Sequence, residues 1–395
     1  MDRRKFLKNS ALVSSLFFVP NFVKAFESLP SERLGYKRLV IVQLAGGNDG
    51  LNTIIPYNND LYYNARPRLA ISKNIIKLND DLGFHPSLSP LQSLFDNGEL
   101  SIINNVGYPN PVRSHFRSMD IWQTASESDE YLQSGWLGRY LDQHGKKPYN
   151  AMEMDEQLSL AMKGEHFNGI ATSNYKTLHN SAKDPYFKNV LNHYNDAHLS
   201  EHNLGYLYQT MIEAKSSANY IYENTKVKSS QKSYPQNGFA GQLKNVAQFI
   251  NSGLDTKVFY TSLAGFDTHA NQDYKQTRLL TQYAESVSAF VSDLKRSSTF
   301  KDTLILTFSE FGRRVNQNAA NGTDHGSANN VFVIGKNLKT AGFYNELSSL
   351  SDLDANGDLK YNIDFRSVYA TILSQWMGVS TKGIISGQPK PLDFL

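Results

Sequence analysis

Acidic and histidine side chains come directly after predicted strands at four points of the sequence. They are Asp49, Asp267 with His269, Glu310, and Asp324 with His325. Carboxylates and imidazoles that converge from several strand ends suit a divalent cation, and two cations together would hold the attacking and leaving oxygens of a displacement. The chain contains no cysteine, so thiolate ligands are excluded and Zn, Mn, Mg and Ca all stay candidates. The pattern therefore predicts a site for one or two divalent metal ions.

Each of these groups also has an ordinary structural interpretation. Asp49 and Asp267 are placed to cap the start of a helix. Glu310 is followed by two arginines that could pair with it, and the segment from Asp324 can be a simple turn. The metal interpretation requires the four loops to meet at one edge of a sheet, where ligands gather in open α/β folds.

Ser114 is the candidate nucleophile, because a helix is predicted to begin there. The free N–H groups and the positive dipole end of a helix N-terminus suit an anion, and Arg113 and Arg117 could hold the oxygens of that anion. Arg113 and the directly following His115 complete the set of catalytic candidates. A serine at this position is also a common helix cap. A metal ion beside it would lower the pKa of the hydroxyl and favour nucleophilic attack.

The elements that must position these groups alternate between short apolar strands and amphipathic helices. The apolar run that begins at Arg38 ends abruptly at Gly46 and Gly47, as a strand buried on both faces would. The alternation predicts an α/β fold with a mainly parallel sheet sandwiched by helices. Residues 26–395 are expected to form a single domain, in which 146–236 are a mostly helical insertion or cap.

The first 25 residues have the charged, apolar and small-residue regions of a secretory signal peptide. The pair Arg3-Arg4, followed by Phe6-Leu-Lys8, matches the twin-arginine export signal closely. This signal predicts a periplasmic or secreted protein whose mature chain begins near Phe26 and has no membrane span. A net charge of +3, without a basic stripe, gives no large field of one sign, so we expect no nucleic-acid partner.

One further acidic segment, Asp352–Asp358, has the spacing of the first half of a calcium-binding loop. The glutamate that such a loop requires at its last position is replaced by Ile363. We therefore expect a solvated turn between two strands here.

The motifs also occur in a characteristic order. In addition to the twin-arginine signal they are Gln43-Leu-Ala-Gly-Gly-Asn-Asp-Gly-Leu-Asn52, Ser114-His-Phe116, Gly135-Trp-Leu-Gly-Arg-Tyr140, Gly265-Phe-Asp-Thr-His269, Ser309-Glu-Phe-Gly-Arg-Arg314 and Gly322-Thr-Asp-His-Gly326. Over nearly the whole mature chain this order resembles the exported bacterial family called domain of unknown function 1501. That family looks like a branch of the alkaline phosphatase and sulfatase superfamily.

The resemblance implies two sets of ligands: Asp49 and Glu310 with Ser114 for one metal ion, and Asp267, His269 and His325 for the other. The sequence departs from the superfamily pattern at Phe311, where a histidine is usual. One histidine ligand is therefore lacking unless Asp324 or His85 replaces it, and a single metal ion is an alternative to two.

Two hypotheses follow for the function. The first is an exported metal-dependent hydrolase of phosphate or sulfate esters, with Ser114 as the nucleophile and a small ester or a polysaccharide as the substrate. The alternative is a catalytically inactive periplasmic binding or assembly protein on the same scaffold, with a polysaccharide or a protein as its partner.

Overall fold

The computed structural model describes residues 37–185, 189, 203–225, 230 and 233–395. The predicted export signal at residues 1–25 and the expected mature start near Phe26 lie outside the described residues, as does part of the predicted insertion at 146–236. In the described part of the chain, no helix is both long and apolar enough to cross a membrane.

The described strands are β1 (Arg38–Ala45), β2 (Ile54–Ile55), β3 (Ile76–Lys77), β4 (Gly83–Phe84), β5 (Leu100–Gly107), β6 (Ala151–Glu153), β7 (Ile170–Ala171), β8 (Val258–Ala264), β9 (Thr303–Phe308), β10 (Asn329–Ile334), β11 (Gly342–Phe343) and β12 (Ile363–Asp364). The described α-helices are α1 (Asp60–Ala65), α2 (Gln92–Asp96), α3 (His115–Thr124), α4 (Trp136–His144), α5 (Tyr175–Ala182), α6 (Asn203–Thr225), α7 (Gly238–Asn251), α8 (Gln272–Arg296) and α9 (Phe365–Thr371). A π-helical turn, Ile372–Trp376, continues α9, and short 3₁₀ segments lie at Gly50–Asn52, Pro86–Leu91, Pro148–Asn150, Leu160–Met162 and Phe300–Asp302.

The main sheet has nine strands in the order β11-β5-β10-β9-β1-β8-β6-β7, with β12 also paired to β5. β1 is parallel to both of its neighbours, β8 and β9. β10 runs antiparallel to β5 and β9, and the remaining described pairs of this sheet are parallel. The predicted mainly parallel α/β sheet is confirmed, with β10 as its antiparallel strand. A separate small sheet has the order β2-β4-β3.

The apolar run of β1 has a hydrophobic core on each side. Successive side chains of a strand point to opposite faces. Val40, Val42 and Leu44 pack in one core together with residues of α7 and α8. Leu39 and Ile41 pack in the second core, with residues of α3, α4 and α9. Helices thus cover both faces of the sheet, which explains why β1 lacks the alternation of apolar and polar residues that a half-exposed strand shows.

The described residues of the predicted insertion at 146–236 are only partly helical. They contribute α5 and α6, but also β6 and β7, which extend the main sheet beyond β8. Ala151–Glu153 and Ile170–Ala171 are therefore part of the sheet rather than of a helical cap, because they continue its hydrogen bonding. α6 packs Ala214, Ala218 and Ile221 into the same core as α7. The division into one domain with an insertion stays a prediction.

The carboxyl ends of β1, β8 and β9 meet at one edge of the sheet, since these strands are parallel. β5 ends at the same edge, because β5 and β9 are both antiparallel to β10, which lies between them. The loops that follow these strands carry the predicted site residues. The fold therefore brings them to a single edge, as the metal interpretation requires.

Candidate metal centre

Arg313 ties three of these loops together. Its buried guanidinium donates to the carbonyl oxygens of Gly47 at 2.7 Å, Phe266 at 3.0 Å and Thr323 at 2.8 Å, and to Asp267 Oδ1 at 2.7 Å. A guanidinium offers five donors in a rigid fork, so one side chain can fix several loops at once. The sequence suggested Arg313 as a partner of Glu310; the structure pairs it with Asp267 instead.

The Gly46-Gly47 turn lets the first loop approach the others closely. Both glycines have positive φ angles, +117° and +71°. A Cβ atom on Gly46 would stand 2.4 Å from the backbone nitrogen of Asp267, and one on Gly47 would stand 2.3 Å from the ring of Phe311. Such distances are far below van der Waals contact, so the geometry of this edge requires glycine at both positions.

Three histidines surround the carboxylate of Asp267. Its Oδ1 atom lies 3.1 Å from Nε2 of His269 and 3.4 Å from Nε2 of both His115 and His325. The Nε2 atoms of His269 and His325 are 2.9 Å apart. Ligand atoms of His115, Asp267 and His325 all lie within 4.8 Å of one another, which is a spacing that can hold a metal ion. We call these four residues the histidine cluster.

The other ring nitrogen of each histidine is held by an oxygen acceptor. His115 Nδ1 lies 2.9 Å from Glu310 Oε1, His269 Nδ1 lies 3.0 Å from Asp324 Oδ1, and His325 Nδ1 lies 2.7 Å from the backbone carbonyl of Arg113. A carbonyl or an ionised carboxylate can only accept, so each Nδ1 must carry the proton and donate it. In a neutral ring, Nε2 is then left with a lone pair that faces Asp267.

These lone pairs lack donors within the protein. His115 Nε2 is buried and has no hydrogen-bond partner in the described part of the chain. The 2.9 Å separation of the His269 and His325 Nε2 atoms is a repulsive contact when both rings are neutral. A cation among the Nε2 atoms and the carboxylate removes both problems, and carboxylate or carbonyl partners on Nδ1 are the usual support of metal-binding histidines. The cluster therefore fits a metal ion.

The electrostatics of the cluster favour the ligating protonation states of Asp267 and His325, but favour the charged form of His115. Burial raises the pKa of Asp267, but the hydrogen bond and charge of Arg313, with the nearby histidines, hold that pKa at about 2. Burial lowers the pKa of His325, whereas the hydrogen bond to Glu310 raises the pKa of His115. The hydrogen bond with His269 lowers the pKa of Asp324. Asp267 and Asp324 are thus ionised at neutral pH, and a ligating histidine must be neutral.

Phe311 is buried beneath the histidine cluster and packs against two of its rings. Its ring is 2% exposed, and its centroid lies 4.8 Å from that of His115 and 4.9 Å from that of His325. The residue that stands in place of the usual histidine therefore packs against the two rings and restricts their orientation. His115, predicted as a catalytic residue beside Ser114, is placed where it could supply the missing imidazole.

The two substitutes suggested for the missing ligand have other partners. Asp324 contacts Nδ1 of His269 and accepts from Asn318 at 3.2 Å, so it holds the ring of His269 from the side opposite to Asp267. His85 Nδ1 accepts the N–H of Ser87 at 3.0 Å at the start of a 3₁₀ segment. Burial lowers the pKa of His85 to about 4.

Asp49 is engaged away from the histidine cluster. Its Oδ2 accepts from Arg66 Nη1 at 2.6 Å and from Gln272 Nε2, and its Oδ1 accepts the N–H of Asn52 at 3.4 Å. The Asp49 and Arg66 side chains are 1% and 0% exposed. Arg66 also donates to the carbonyl oxygens of Arg314 and Val315. Asp49 therefore takes the capping role that the sequence left open, in a buried ion pair that already satisfies its charge.

Glu310 is fully buried and lies behind His115. Its Oε1 accepts the N–H of Gly46 at 2.8 Å as well as the bond from His115, and Ser309 Oγ lies 3.3 Å from its Oε2. Glu310, predicted as a metal ligand, contacts Nδ1 of His115 rather than the Nε2 atoms that face Asp267.

Ser114 and Arg113 stand just before α3. Ser114 occupies the N-cap position, is exposed, and makes no capping hydrogen bond, so its hydroxyl is not used to hold the helix. The Arg113 guanidinium, predicted to hold an anion, instead donates to Asp354 at 2.9 Å and to Asp358 at 2.7 Å.

Sequence reasoning missed Arg66, Gln272 and the partners of Arg113. Arg66 lies 17 residues after Asp49, and Asp358 lies 245 residues after Arg113. Long-range partners of this kind leave no local spacing signal. The acidic segment Asp352–Asp358 was visible in the sequence as a possible cation-binding turn. Nothing near it in the chain indicates that the group it binds is the guanidinium of Arg113.

The fold and this edge define an α/β protein with a mainly parallel sheet and a candidate metal site at the strand ends. The profile of the family described as "Protein of unknown function (DUF1501)" matches residues 36–385. The chain therefore belongs to this family, as its motifs indicate. No match is found among curated protein sequences.

Solved structures with a similar architecture come from the alkaline phosphatase superfamily and other proteins. The C-terminal periplasmic domain of EcEptC from Escherichia coli, in complex with Zn, has 13% identity and a TM-score of 0.41, over 92% of each chain. Lipoteichoic acid synthase LtaP from Listeria monocytogenes has 12% identity and a TM-score of 0.40, over 96% of this chain and 79% of its own. A protein in the alkaline phosphatase superfamily from Vibrio parahaemolyticus has 13% identity and a TM-score of 0.39, over 99% and 79%.

Proposed function

We propose that the histidine cluster binds one divalent metal ion and that the protein is an exported metal-dependent hydrolase of phosphate or sulfate esters. The main observation in support of the metal site is the orientation of the His115, His269 and His325 rings. Each ring is fixed through Nδ1 by an oxygen acceptor and turns Nε2 toward the single carboxylate of Asp267.

The donor set indicates which metal ion the site would take. Imidazole nitrogens suit Zn²⁺ and other transition ions, whereas Mg²⁺ and Ca²⁺ prefer sites made of oxygen ligands. We therefore expect Zn²⁺ or Mn²⁺ from the candidates that the sequence left open. A single ion is expected because Asp49, a ligand in the two-metal scheme, is neutralised by Arg66.

Ser114 is the proposed nucleophile. It is exposed, its hydroxyl makes no capping bond, and it directly precedes His115 of the cluster. In the reaction its Oγ would form a bond to phosphorus or sulfur while the bond to the ester oxygen breaks. The serine proton is passed to solvent and the leaving alkoxide takes up a proton, and water then hydrolyses the enzyme ester and restores Ser114. A bound divalent ion supplies charge stabilisation and lowers the pKa of a neighbouring hydroxyl.

Export is part of the proposal. The Arg3-Arg4 signal supports delivery to the periplasm or beyond by the twin-arginine route, which carries folded proteins and so allows a metal to be loaded before export. A small phosphate or sulfate ester, or an ester on a polysaccharide, is the proposed substrate.

The metal site is tested by elemental analysis of the purified mature protein after incubation with Zn²⁺ or Mn²⁺. We expect about one ion per chain in the wild type and near zero in Asp267→Ala and His325→Ala. His166→Ala is the matched control, because His166 is exposed and lies outside the cluster. A metal-free wild type, or full occupancy in both cluster variants, would contradict the site.

The activity is tested with 4-nitrophenyl phosphate and 4-nitrophenyl sulfate. Ser114→Ala should abolish turnover and leave the melting temperature unchanged, whereas Ser93→Ala, at an exposed serine of α2, should keep wild-type turnover. Turnover that survives in Ser114→Ala would rule out this nucleophile. Metal binding without turnover of any ester would favour the alternative, an inactive binding or assembly protein with a polysaccharide or protein partner.

A further inference from the structure

The loop between β5 and α3 carries two groups of the proposed site. It spans residues 108–114 without regular secondary structure. Its last two residues are Arg113, whose carbonyl accepts from His325, and Ser114, the proposed nucleophile. An irregular loop cannot hold such groups by backbone ladders, so the contacts of its side chains must fix it.

We infer that Asp354 and Asp358 position Arg113, and that Arg113 in turn fixes the ring orientation and tautomer of His325. Arg113 Nε donates to Asp358 Oδ2 at 2.7 Å, Nη2 donates to Asp354 Oδ2 at 2.9 Å, and Nη2 also contacts Asp358 Oδ2. The guanidinium is thus held by charge-assisted hydrogen bonds to two carboxylates, which restrict both its position and its orientation. This inference rests on the proposed function, because it gives the histidine cluster its supporting residues.

The acidic segment is itself pre-shaped to present both carboxylates. Asp354 Oδ1 accepts the N–H groups of Asn356 at 2.8 Å and Asp358 at 2.9 Å, and Gly357 turns the chain with a φ of +80°. Leu353 and Leu359 close the turn by an antiparallel bridge. The half-loop that the sequence likened to a calcium site thus holds an arginine guanidinium.

Burial makes this pairing strict. The side chain of Asp358 is 0% exposed, and that of Arg113 is 25% exposed. A buried carboxylate without a hydrogen-bonded cation is costly, and the other nearby cation, Arg314, lies farther away, with its Nε 3.8 Å from Asp358 Oδ1. Asp358 therefore favours the conformation in which Arg113 reaches it. The expected solvated turn is therefore partly wrong: Asp352 is exposed, but Asp358 points into the protein.

The same segment also holds the chain just beyond His325. Ser327 Oγ donates to the carbonyl oxygen of Leu359 at 2.6 Å. The acceptor of the His325 Nδ1 proton and the backbone that carries His325 are therefore both attached to one turn. Since the Arg113 carbonyl accepts only from a protonated Nδ1, this arrangement leaves Nε2 of His325 free to face Asp267.

The tautomer provides a test that needs no metal. In metal-free protein labelled with ¹⁵N-histidine, at about pH 9 where an ordinary histidine is neutral, long-range NMR spectra identify the protonated nitrogen of His325. The signal is assigned by its loss in His325→Ala. We expect Nδ1–H in the wild type and a mixture with Nε2–H in the double variant Asp354→Asn/Asp358→Asn. Asp352→Asn is the matched control, because Asp352 lies in the same turn and pairs with Lys360.

An unchanged Nδ1–H tautomer in the folded double variant would overturn the inference. If the double variant does not fold, Arg113→Lys decides the question, since lysine keeps the charge but lacks the fork that binds both carboxylates. A wild-type tautomer in Arg113→Lys would then contradict the positioning role, and a mixture would support it.

Zinc titration separates this inference from the proposed function. Loss of a residue that orients a ligand typically weakens metal binding 10- to 100-fold, so we expect about that loss in the double variant and none in Asp352→Asn. Equal affinities in all three proteins would overturn the inference while the metal site stands. A wild type that binds no zinc would overturn the proposed function, and the tautomer would still decide the inference.

Discussion

Asp49 and Asp267 follow neighbouring parallel strands at the same edge of the sheet, yet they have opposite environments. Asp49 is 1% exposed and bound to a fully buried Arg66. Asp267 is 48% exposed and, besides Arg313, faces the Nε2 atoms of three histidines. The first carboxylate holds the loop together, and the second can hold a ligand.

The comparison shows that residue type and strand position do not decide the role of a carboxylate. Both side chains lie after an apolar strand, and both have an arginine partner. The two carboxylates differ in the other groups that surround their oxygen atoms. Gln272 and the N–H of Asn52 donate to those of Asp49, whereas the histidine Nε2 atoms, which carry lone pairs, surround Oδ1 of Asp267.

The largest expected effect comes from separating Asp49 from its cation. Arg66→Met leaves a buried carboxylate unpaired, which should lower the free energy of unfolding by about 3–5 kcal/mol. Urea unfolding measures the loss. Arg68→Met, at an exposed arginine two residues later, should change stability by less than about 0.5 kcal/mol. Equal stabilities of the two variants would break the contrast between Asp49 and Asp267.

A third carboxylate, that of Glu153 in β6, can be compared with Asp49 and Asp267. Its hydrogen bond comes from a backbone N–H instead of an arginine. Glu153 is 5% exposed and accepts from the N–H of Ser159 at 2.7 Å. Burial raises the pKa of Glu153 from 4.5 to about 7, against the lowering effect of the Ser159 hydrogen bond.

The folded protein therefore keeps the Glu153 proton to about pH 7, while the unfolded chain releases it near pH 4.5. Stability should fall by about 3 kcal/mol as the pH rises across this window and level off above it. Glu153→Gln should remove this part of the pH dependence, measured by urea unfolding at several pH values. Glu156→Gln, at an exposed neighbour, should keep it; a slope unchanged by Glu153→Gln would contradict the assignment.

Metal removal sharpens the contrast at the Asp267 side. With Zn²⁺ at 100 times its dissociation constant, binding to the folded state adds about 2.7 kcal/mol to the free energy of unfolding, which a chelator should remove. Asp267→Asn should lose this increment. Asp49→Asn should be less stable overall but keep the increment, because Asp49 lies outside the cluster. An increment lost in Asp49→Asn and kept in Asp267→Asn would reverse the roles of the two carboxylates.

The sequence was informative about the strands. Strands β1, β5, β8, β9 and β10 are buried on both faces, so each appears in the sequence as a continuous apolar run that can be recognised directly. The short strands β6 and β7 were missed, because strands of two or three residues carry too little pattern to be distinguished from an irregular segment.

The sequence predicted which loops form the site, but not which side chains contact one another within it. Asp267, His269 and His325 were named together and lie together. The pairing of Asp49 with Arg66, and the position of Glu310 behind His115, depend on how distant loops pack against one another. His115 shows the reason clearly: its neighbour Ser114 made it look catalytic, whereas its ring contacts Phe311 and His325 from far along the chain.

The most direct test of the metal centre is anomalous diffraction at the zinc absorption edge from crystals of the zinc-treated protein. We expect one peak per chain, within bonding distance of Asp267 and the Nε2 atoms of the surrounding histidines, and no peak at Asp49. A peak at Asp49, or none at the histidine cluster, would contradict the account.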